Sequence, residues 1–576
     1  MNRHASAPIR GGGDRGVAAG AVTLRGAHHA VHDPILTYRS YVGGKDIDSD
    51  KHVYTVTTRS ILDDVFESLT LKRRLEQRRT EPQEAGHRVV GRVALADDDT
   101  VAAASAAAAQ AAVEWARVPH ARRMALGAAV RRRIVEGCDA MVDVLIAEGT
   151  PRALAEWQVA GLLETFSEET LGWLDELMHR EFTHGSRRLV VRRQPDGVVC
   201  VNPPQNAPAA SALFGITALM AGNAVVVRAP RSAPLGVMYA LREFVVPALE
   251  EIGAPAGVLN VVCGRPGPMM RHWLETPHTD DILYIGSTEN GLAFQEECVR
   301  RGKKPILELA GNDCVVIWRD ADLDTAAEAL TECFYGSGQI CMVPNQVLVH
   351  PAVADELLDR LRTAVSRLRP GYPDEDGVLL SPVLRSERFF EFVKDALDHG
   401  ARVVHGARRL EVDGSPSDTG LFLEPTVLRI DGLTRARDVE AVRCETFFPL
   451  LPVVVPEAAD DDELLGLFLE YVNSNPYGLR NSVWADDERI LARFEQEIVN
   501  GGLLKINDSH IGFLPYLPTH GGTGLTGGVF GEANYPMLRT SHLQGVSVAR
   551  GIRPHDAVFG SYAALRQARE EARRSL

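Results

Sequence analysis

No apolar run in this 576-residue chain approaches the roughly 18 residues that a membrane-spanning helix requires. The longest runs, 224–227 and 314–318, suit buried strands instead. Positive charge is also in deficit. The formal net charge of -15 argues against a general nucleic-acid binder, which would carry a basic face. Cysteine is sparse and scattered: eight residues with no CxxC pair and no His-rich metal spacing. That pattern reads as reduced thiols in a cytoplasmic protein, without a disulfide framework and without a bound metal. The N-terminus lacks the continuous apolar stretch of roughly 7–15 residues that a secretory signal needs. Arg3, Arg10, Arg15 and Arg25 give it a faint transit-peptide flavour, but residues 1–35 read better as a disordered extension. Internal repeats are absent, and so is a full GxGxxG fingerprint.

What is present is the composition of a soluble globular chain, 45% hydrophobic and 24% charged, long enough to divide into more than one packed unit. Residues 38–59 alternate as short strands. Helical spacing occupies 100–115, 122–148 and 154–177. Residues 187–201 alternate around Pro195-Asp196-Gly197, which predicts a hairpin. Strands are expected at 198–202, 224–228, 258–263, 282–285 and 305–309, with helices at 209–220, 234–252, 266–275 and 291–301. This rhythm predicts a parallel, doubly wound sheet, and a second such block follows from 315 to about 507. It has strands at 347–349 and 453–455 and helices at 352–368 and 387–399. Beyond a Gly- and Pro-rich stretch at 514–531, a short strand at 546–549 and a charged, helix-compatible tail at 553–576 close the chain.

Two motifs carry chemistry. Cys341 stands in Gly336-Ser337-Gly338-Gln339-Ile340-Cys341-Met342-Val343-Pro344-Asn345, and Glu308 in Leu307-Glu308-Leu309-Ala310-Gly311-Asn312-Asp313. Thiolate attacks electrophilic carbon, and a carboxylate takes a proton from the thiol or from water. A lone cysteine is usually inert core, as Cys333 is read to be. The glycines before Cys341 instead let backbone approach a substrate, and a helix N-terminus there would lower the thiol pKa. Asn206 in Pro204-Gln205-Asn206-Ala207-Pro208 supplies an amide that can donate to a developing oxyanion.

With Ala221-Gly222-Asn223-Ala224-Val225-Val226-Val227-Arg228, Gly286-Ser287-Thr288-Glu289, Glu445-Thr446-Phe447-Phe448-Pro449 and Asn475-Pro476-Tyr477-Gly478-Leu479, these segments make seven motifs. In their order and spacing the chain resembles the aldehyde dehydrogenase superfamily from about residue 38 to about 548. The resemblance implies an α/β fold with two doubly wound parallel-sheet domains, a Rossmann-like cofactor domain (36–186 and 202–310) and a catalytic domain (311–540). A β oligomerisation flap (187–201 and 541–552) would build a homodimer or homotetramer. It also implies oxidation of a small-molecule aldehyde with NADP or NAD through a thioester on Cys341, with Glu308 activating water and Asn206 holding the oxyanion.

The dinucleotide contacts so implied are Arg228, Ser287, Glu445 and Phe447, with Gly264 and Gly267 as a partial glycine turn. At Arg231 the family's NAD-preferring members carry a ribose-binding glutamate; an arginine there favours a 2′-phosphate, hence NADP. Gln205 and Ala207 replace larger, usually aromatic residues, so the tunnel is expected to be wider or more polar. His510, Ile511, Phe513 and His520 are candidates to touch substrate, none assigned a catalytic role. Gly521-Gly522-Thr523-Gly524 lacks the Lys-Ser/Thr ending of a phosphate loop. Two alternatives stay open: a CoA- or carrier-dependent acyl reductase on the same fold, and a non-catalytic scaffold.

Overall fold

The computed structural model describes residues 35–574 apart from 532 and 534, so the expected extension lies outside the described residues except for Ile35. Two seven-stranded sheets organise the chain. In the first, Lys304–Glu308, Asp281–Ile285, Val198–Asn202, Ala224–Pro230 and Leu259–Gly264 lie side by side in parallel. Ser40–Val42 and Lys45–Ile47 close its edge antiparallel. In the second, Thr426–Asp431, Leu450–Val455, Gln346–Val349, Cys314–Ile317, Arg480–Trp484 and Leu503–Ile506 run parallel, with Arg402–His405 antiparallel at one edge. Sheets covered on both faces need apolar residues at every position, which is why Val225, Val226 and Val227 are all fully buried. The doubly wound α/β expectation therefore holds.

Helix boundaries depart from expectation where polar side chains intervene. The helix expected over 154–177 is two, Arg152–Thr165 and Glu168–Met178, because the Ser167 hydroxyl accepts from Thr170 N and starts a new helix. The helix expected over 234–252 widens into a π-turn at Ala240–Val245, just before Pro247 removes a backbone donor.

The hairpin expectation needs correction. Arg187–Pro195 does not turn back at Pro195-Asp196-Gly197. It pairs with His179–His184 across the Gly185-Ser186 turn and with Ser541–Ala549 on its other side. Residues 195–197 instead carry the chain into Val198–Asn202 of the first sheet. There Gly197, at φ +141°, lies so close to Asp280 that a β-carbon would come 2.1 Å from its carboxylate. Asp196 pairs with Lys304, and Asp280 accepts from Val198 N. The turn signal was spent on a crossing between sheets. Helix Pro554–Arg574 follows the three-stranded flap and buries none of its residues.

Candidate active site

The sequence-predicted nucleophile, base and oxyanion donor meet between the two sheets. Glu308 ends the strand Lys304–Glu308, with its carbonyl held by Gly286 N at 3.0 Å. The Gly-rich stretch braces this strand end from behind: Leu309 N donates to Thr526 O at 2.8 Å, and Thr526 Oγ1 donates to the Ala310 carbonyl at 2.8 Å. Gly522 and Gly524 are required by packing, since β-carbons there would meet the Gly478 and Pro476 carbonyls at 2.1 and 2.2 Å. That stretch is a brace, not a phosphate loop.

Cys341 follows a loop stitched to residues 379–382. Gly336 N donates to Leu379 O, Ser337 Oγ donates to Ser381 O and Gln339 Nε2 donates to Pro382 O. Gly336, Ser337 and Gly338 all take positive φ. A β-carbon on Gly338 would sit 2.2 Å from Phe448 O, so only glycine fits. The loop aims the Cys341 thiol at Glu308, donating to Oε1 at 3.4 Å. Asn206 donates to Gln339 O at 3.0 Å, which puts its amide beside the same turn.

No helix begins at Cys341, contrary to expectation; a turn leads directly into the strand Gln346–Val349. The thiol is not acidified. Burial, and then the Glu308 and Glu445 carboxylates, push it well above the ordinary cysteine value, against the pull of Arg480. Burial would likewise raise Glu308, but the His520 imidazole, the Cys341 thiol and Arg480 outweigh it and hold the carboxyl below the ordinary glutamate value. The resting proton therefore sits on sulfur, shared with a carboxylate.

Three groups around this pair escaped sequence assignment. His520 Nδ1 lies 2.8 Å from Glu308 Oε2, a charge contact on the side away from Cys341. Arg480, 1% exposed, donates to the His510 and Thr519 carbonyls at 2.8 Å each. Asp313, pushed up to about 8 by burial against the pull of Arg480, accepts from Arg480 N. His510 is held neutral: burial, then Arg480 and Lys505, depress it well below the usual histidine value. It packs as structure, with its Nδ1 2.6 Å from Ser482 Oγ. An arginine opening the strand Arg480–Trp484 was the only sequence signal for Arg480. Apolar groups complete the surroundings: Trp157, Tyr335, Ile340 and Cys341 pack against the cluster of Met342, Val343, Leu479 and Ile511, and Phe214 and Phe513 lie against His520.

Of the expected dinucleotide residues, Arg228, Arg231, Gly264, Gly267 and Ser287 lie toward the carboxyl ends of the first sheet, where doubly wound folds bind nucleotides, whereas Glu445 and Phe447 precede the strand Leu450–Val455 of the second. Ser287 stands at the N-cap of helix Thr288–Arg300 without a side-chain cap bond, its hydroxyl accepting from Asn290 Nδ2 at 2.8 Å. Gly264 ends its strand, and a β-carbon on Gly267 would meet nothing within 4 Å. Arg228 is turned inward, donating to Asn202 Oδ1 and to the Pro203 and Gly264 carbonyls, and burial lowers it to about 10. Arg231 is half-buried, and its buried Nε has no hydrogen-bond partner. Lys72 feels its charge. Glu445, raised to about 8 by burial, accepts from Gly311 N at 3.2 Å, and Phe447 adopts φ +58°. Among the described residues, no group of His, Cys, Asp and Glu side chains is disposed to hold a metal, and no helix is long and apolar enough to cross a membrane.

This geometry agrees with what comparison shows. The sequence model of the Aldehyde dehydrogenase family matches residues 74–539, and the chain belongs to that family. Its activity is the NAD(P)-dependent oxidation of an aldehyde to a carboxylic acid. Among its relatives is the NADP(+) succinate-semialdehyde dehydrogenase GabD of Escherichia coli, 32% identical over 63% of this chain and 72% of its own. The vanillin dehydrogenase of Corynebacterium glutamicum is 32% identical over 71% and 81%. In three dimensions the succinate-semialdehyde dehydrogenase of Burkholderia pseudomallei superposes with a TM-score of 0.73 at 25% identity, covering 91% of this chain and all of that one.

Proposed function

We propose that Cys341, Glu308 and Asn206 carry this oxidation, on an aldehyde with an apolar or aromatic body, and that the cofactor is NADP in preference to NAD. The observation that carries the reading is the thiol-to-carboxylate contact between Cys341 and Glu308. Sulfur attacks the carbonyl carbon, and the second hydrogen of the Asn206 amide and backbone N–H hold the oxygen as it gains charge. The dinucleotide, when bound, accepts the hydride. Glu308 then takes a proton from water as the water oxygen bonds to the thioester carbon, and sulfur leaves with its electron pair. A carboxylate so placed favours release of a free acid over transfer to CoA. Trp157, Ile340, Phe214 and Phe513 support the apolar substrate body.

Arg231 supports NADP: an orphaned guanidinium N–H beside a second cation, Lys72, fits a 2′-phosphate better than a ribose hydroxyl. Arg228 and Ser287 would bound the adenosine and pyrophosphate, with Glu445 and Phe447 at the nicotinamide end. The first sheet supports the reading of a cofactor domain, and the second that of a catalytic domain. Exposed Phe182, Val191, Leu543 and Val548 on the flap favour a homodimer or homotetramer. Eight unpaired cysteines favour a reducing, cytoplasmic setting.

The test is an aldehyde panel followed by nicotinamide absorbance, with either dinucleotide and with or without CoA, beside Cys341→Ala. Cys341→Ala retaining above about one per cent of wild-type turnover, a barrier change under about 3 kcal/mol, rejects the nucleophile. CoA-dependent turnover would establish the acyl-transfer alternative.

A further inference from the structure

Glu308 is 1% exposed and has a neighbour on each oxygen: the Cys341 thiol at 3.4 Å on Oε1 and His520 Nδ1 at 2.8 Å on Oε2. The His520 side chain is 15% exposed, against 1% for Glu308. Its ring is set by Phe214, with centroids 4.3 Å apart, and by Phe513 at 6.2 Å. The backbone just before it is fixed where Arg480 grips the Thr519 carbonyl. Glu332 fixes the approach of Phe513 by accepting from Ile511 N at 2.9 Å. The imidazole is thus held against the carboxylate from several elements rather than resting there by chance.

We propose that His520 is a positioning residue for Glu308: it holds the carboxylate ionised and aimed at Cys341. The inference rests on the proposed roles of Cys341 and Glu308. When sulfur bonds to the carbonyl carbon, the thiol proton passes to Glu308. When water oxygen bonds to the thioester carbon, the C–S electron pair returns to sulfur and a water proton passes to Glu308. Each event leaves a buried carboxyl protonated, and the overall oxidation releases protons that must reach solvent. An N–H at His520 Nδ1 against Oε2 favours the ionised carboxylate, so Glu308 gives these protons up to water from Oε1 and is restored as a base between the two events. Other charged groups acting on Glu308 are Arg480 and, through repulsion, Glu445 and Asp313. Arg480 is engaged with the His510 and Thr519 carbonyls, which leaves His520 as the polar side chain against Oε2.

The test compares wild type, His520→Gln and His520→Phe. It reads kcat and KM against pH, and separately the rate at which iodoacetamide alkylates Cys341 in the cofactor-free protein. His520→Phe is expected to lower kcat about tenfold or more near pH 7, with KM for aldehyde changed less than about threefold. Its acid limb moves to higher pH by about one unit or more, because the unpaired buried carboxyl is harder to ionise. His520→Gln keeps a donor toward Glu308, so both its kcat and its acid limb move less than those of His520→Phe. Alkylation of Cys341 slows in His520→Phe at neutral pH. Wild-type kcat and acid limb in both variants, or equal losses with an unmoved limb and a lowered Tm, would overturn the proposal. If the wild-type protein oxidises no aldehyde, the parent reading fails, while the alkylation profiles still decide whether His520 governs Glu308.

Discussion

Gly311 and Cys341 meet backbone to backbone: a β-carbon on Gly311 would lie 2.6 Å from the Cys341 carbonyl oxygen. The strand end bearing Glu308 and the turn bearing Cys341 therefore register against each other directly, so the contact between their side chains does not depend on side-chain packing alone.

Glu308→Gln is expected to stop the reaction after hydride transfer, because the amide cannot take a proton from water. Rapid mixing should show one burst of reduced dinucleotide per site. Mass spectrometry should find the acyl group on Cys341. Steady cycling at the wild-type rate would assign the water-activating role elsewhere.

The cofactor preference turns on Arg231. A guanidinium–phosphate contact of about 1.5–3 kcal/mol corresponds to roughly ten- to hundredfold in relative affinity. Arg231→Glu should reduce or reverse the NADP/NAD ratio of kcat/KM at fixed aldehyde, and Lys72→Ala should lower it less. An unchanged ratio in Arg231→Glu would place its guanidinium in solvent.

Gly338→Ala should disable the nucleophile's loop. Alanine at φ +70° costs about 1–2 kcal/mol before its methyl meets the Phe448 carbonyl. A lowered Tm with loss of nearly all turnover is expected. Gly172→Ala is the matched control: it lies in a helix with nothing within 4 Å, and should hold or raise Tm with activity intact.

Glu148 gives a pH dependence. Its carboxyl accepts from Leu235 N and Gly236 N, and burial lifts it from 4.5 to about 7. Between those values the folded chain binds more protons than the unfolded one, so stability falls as pH rises. The contribution is complete below about pH 4.5 and gone above about pH 7, an amount on the order of 3 kcal/mol. The difference in Tm between pH 5 and pH 8 should shrink in Glu148→Gln; an equal difference in both proteins would refute the assignment.

Local signals carried much of this far. Glycine punctuation around Cys341 and the strand-then-small-residue pattern at Glu308 are statements about backbone that sequence makes directly, and the structure brings both residues together. The valine-rich runs likewise announced central parallel strands. Failures came where a local signal has two uses. Pro195-Asp196-Gly197 is good turn chemistry, but contacts with Asp280 and Lys304 use it to cross between sheets. His520 and Arg480 were not assigned because their partners lie far along the chain, and no periodicity records such pairings.

The donated hydrogen bond from Cys341 to Glu308 also imposes an order of events on the proposed chemistry. While sulfur bears its proton, Oε1 is engaged and no water can use that face. Once sulfur is acylated it has no hydrogen to donate, and the same oxygen, after giving up the proton it took from the thiol, falls open beside the thioester carbon. The base thus becomes available to water only when there is something to hydrolyse, a timing device written into one hydrogen bond.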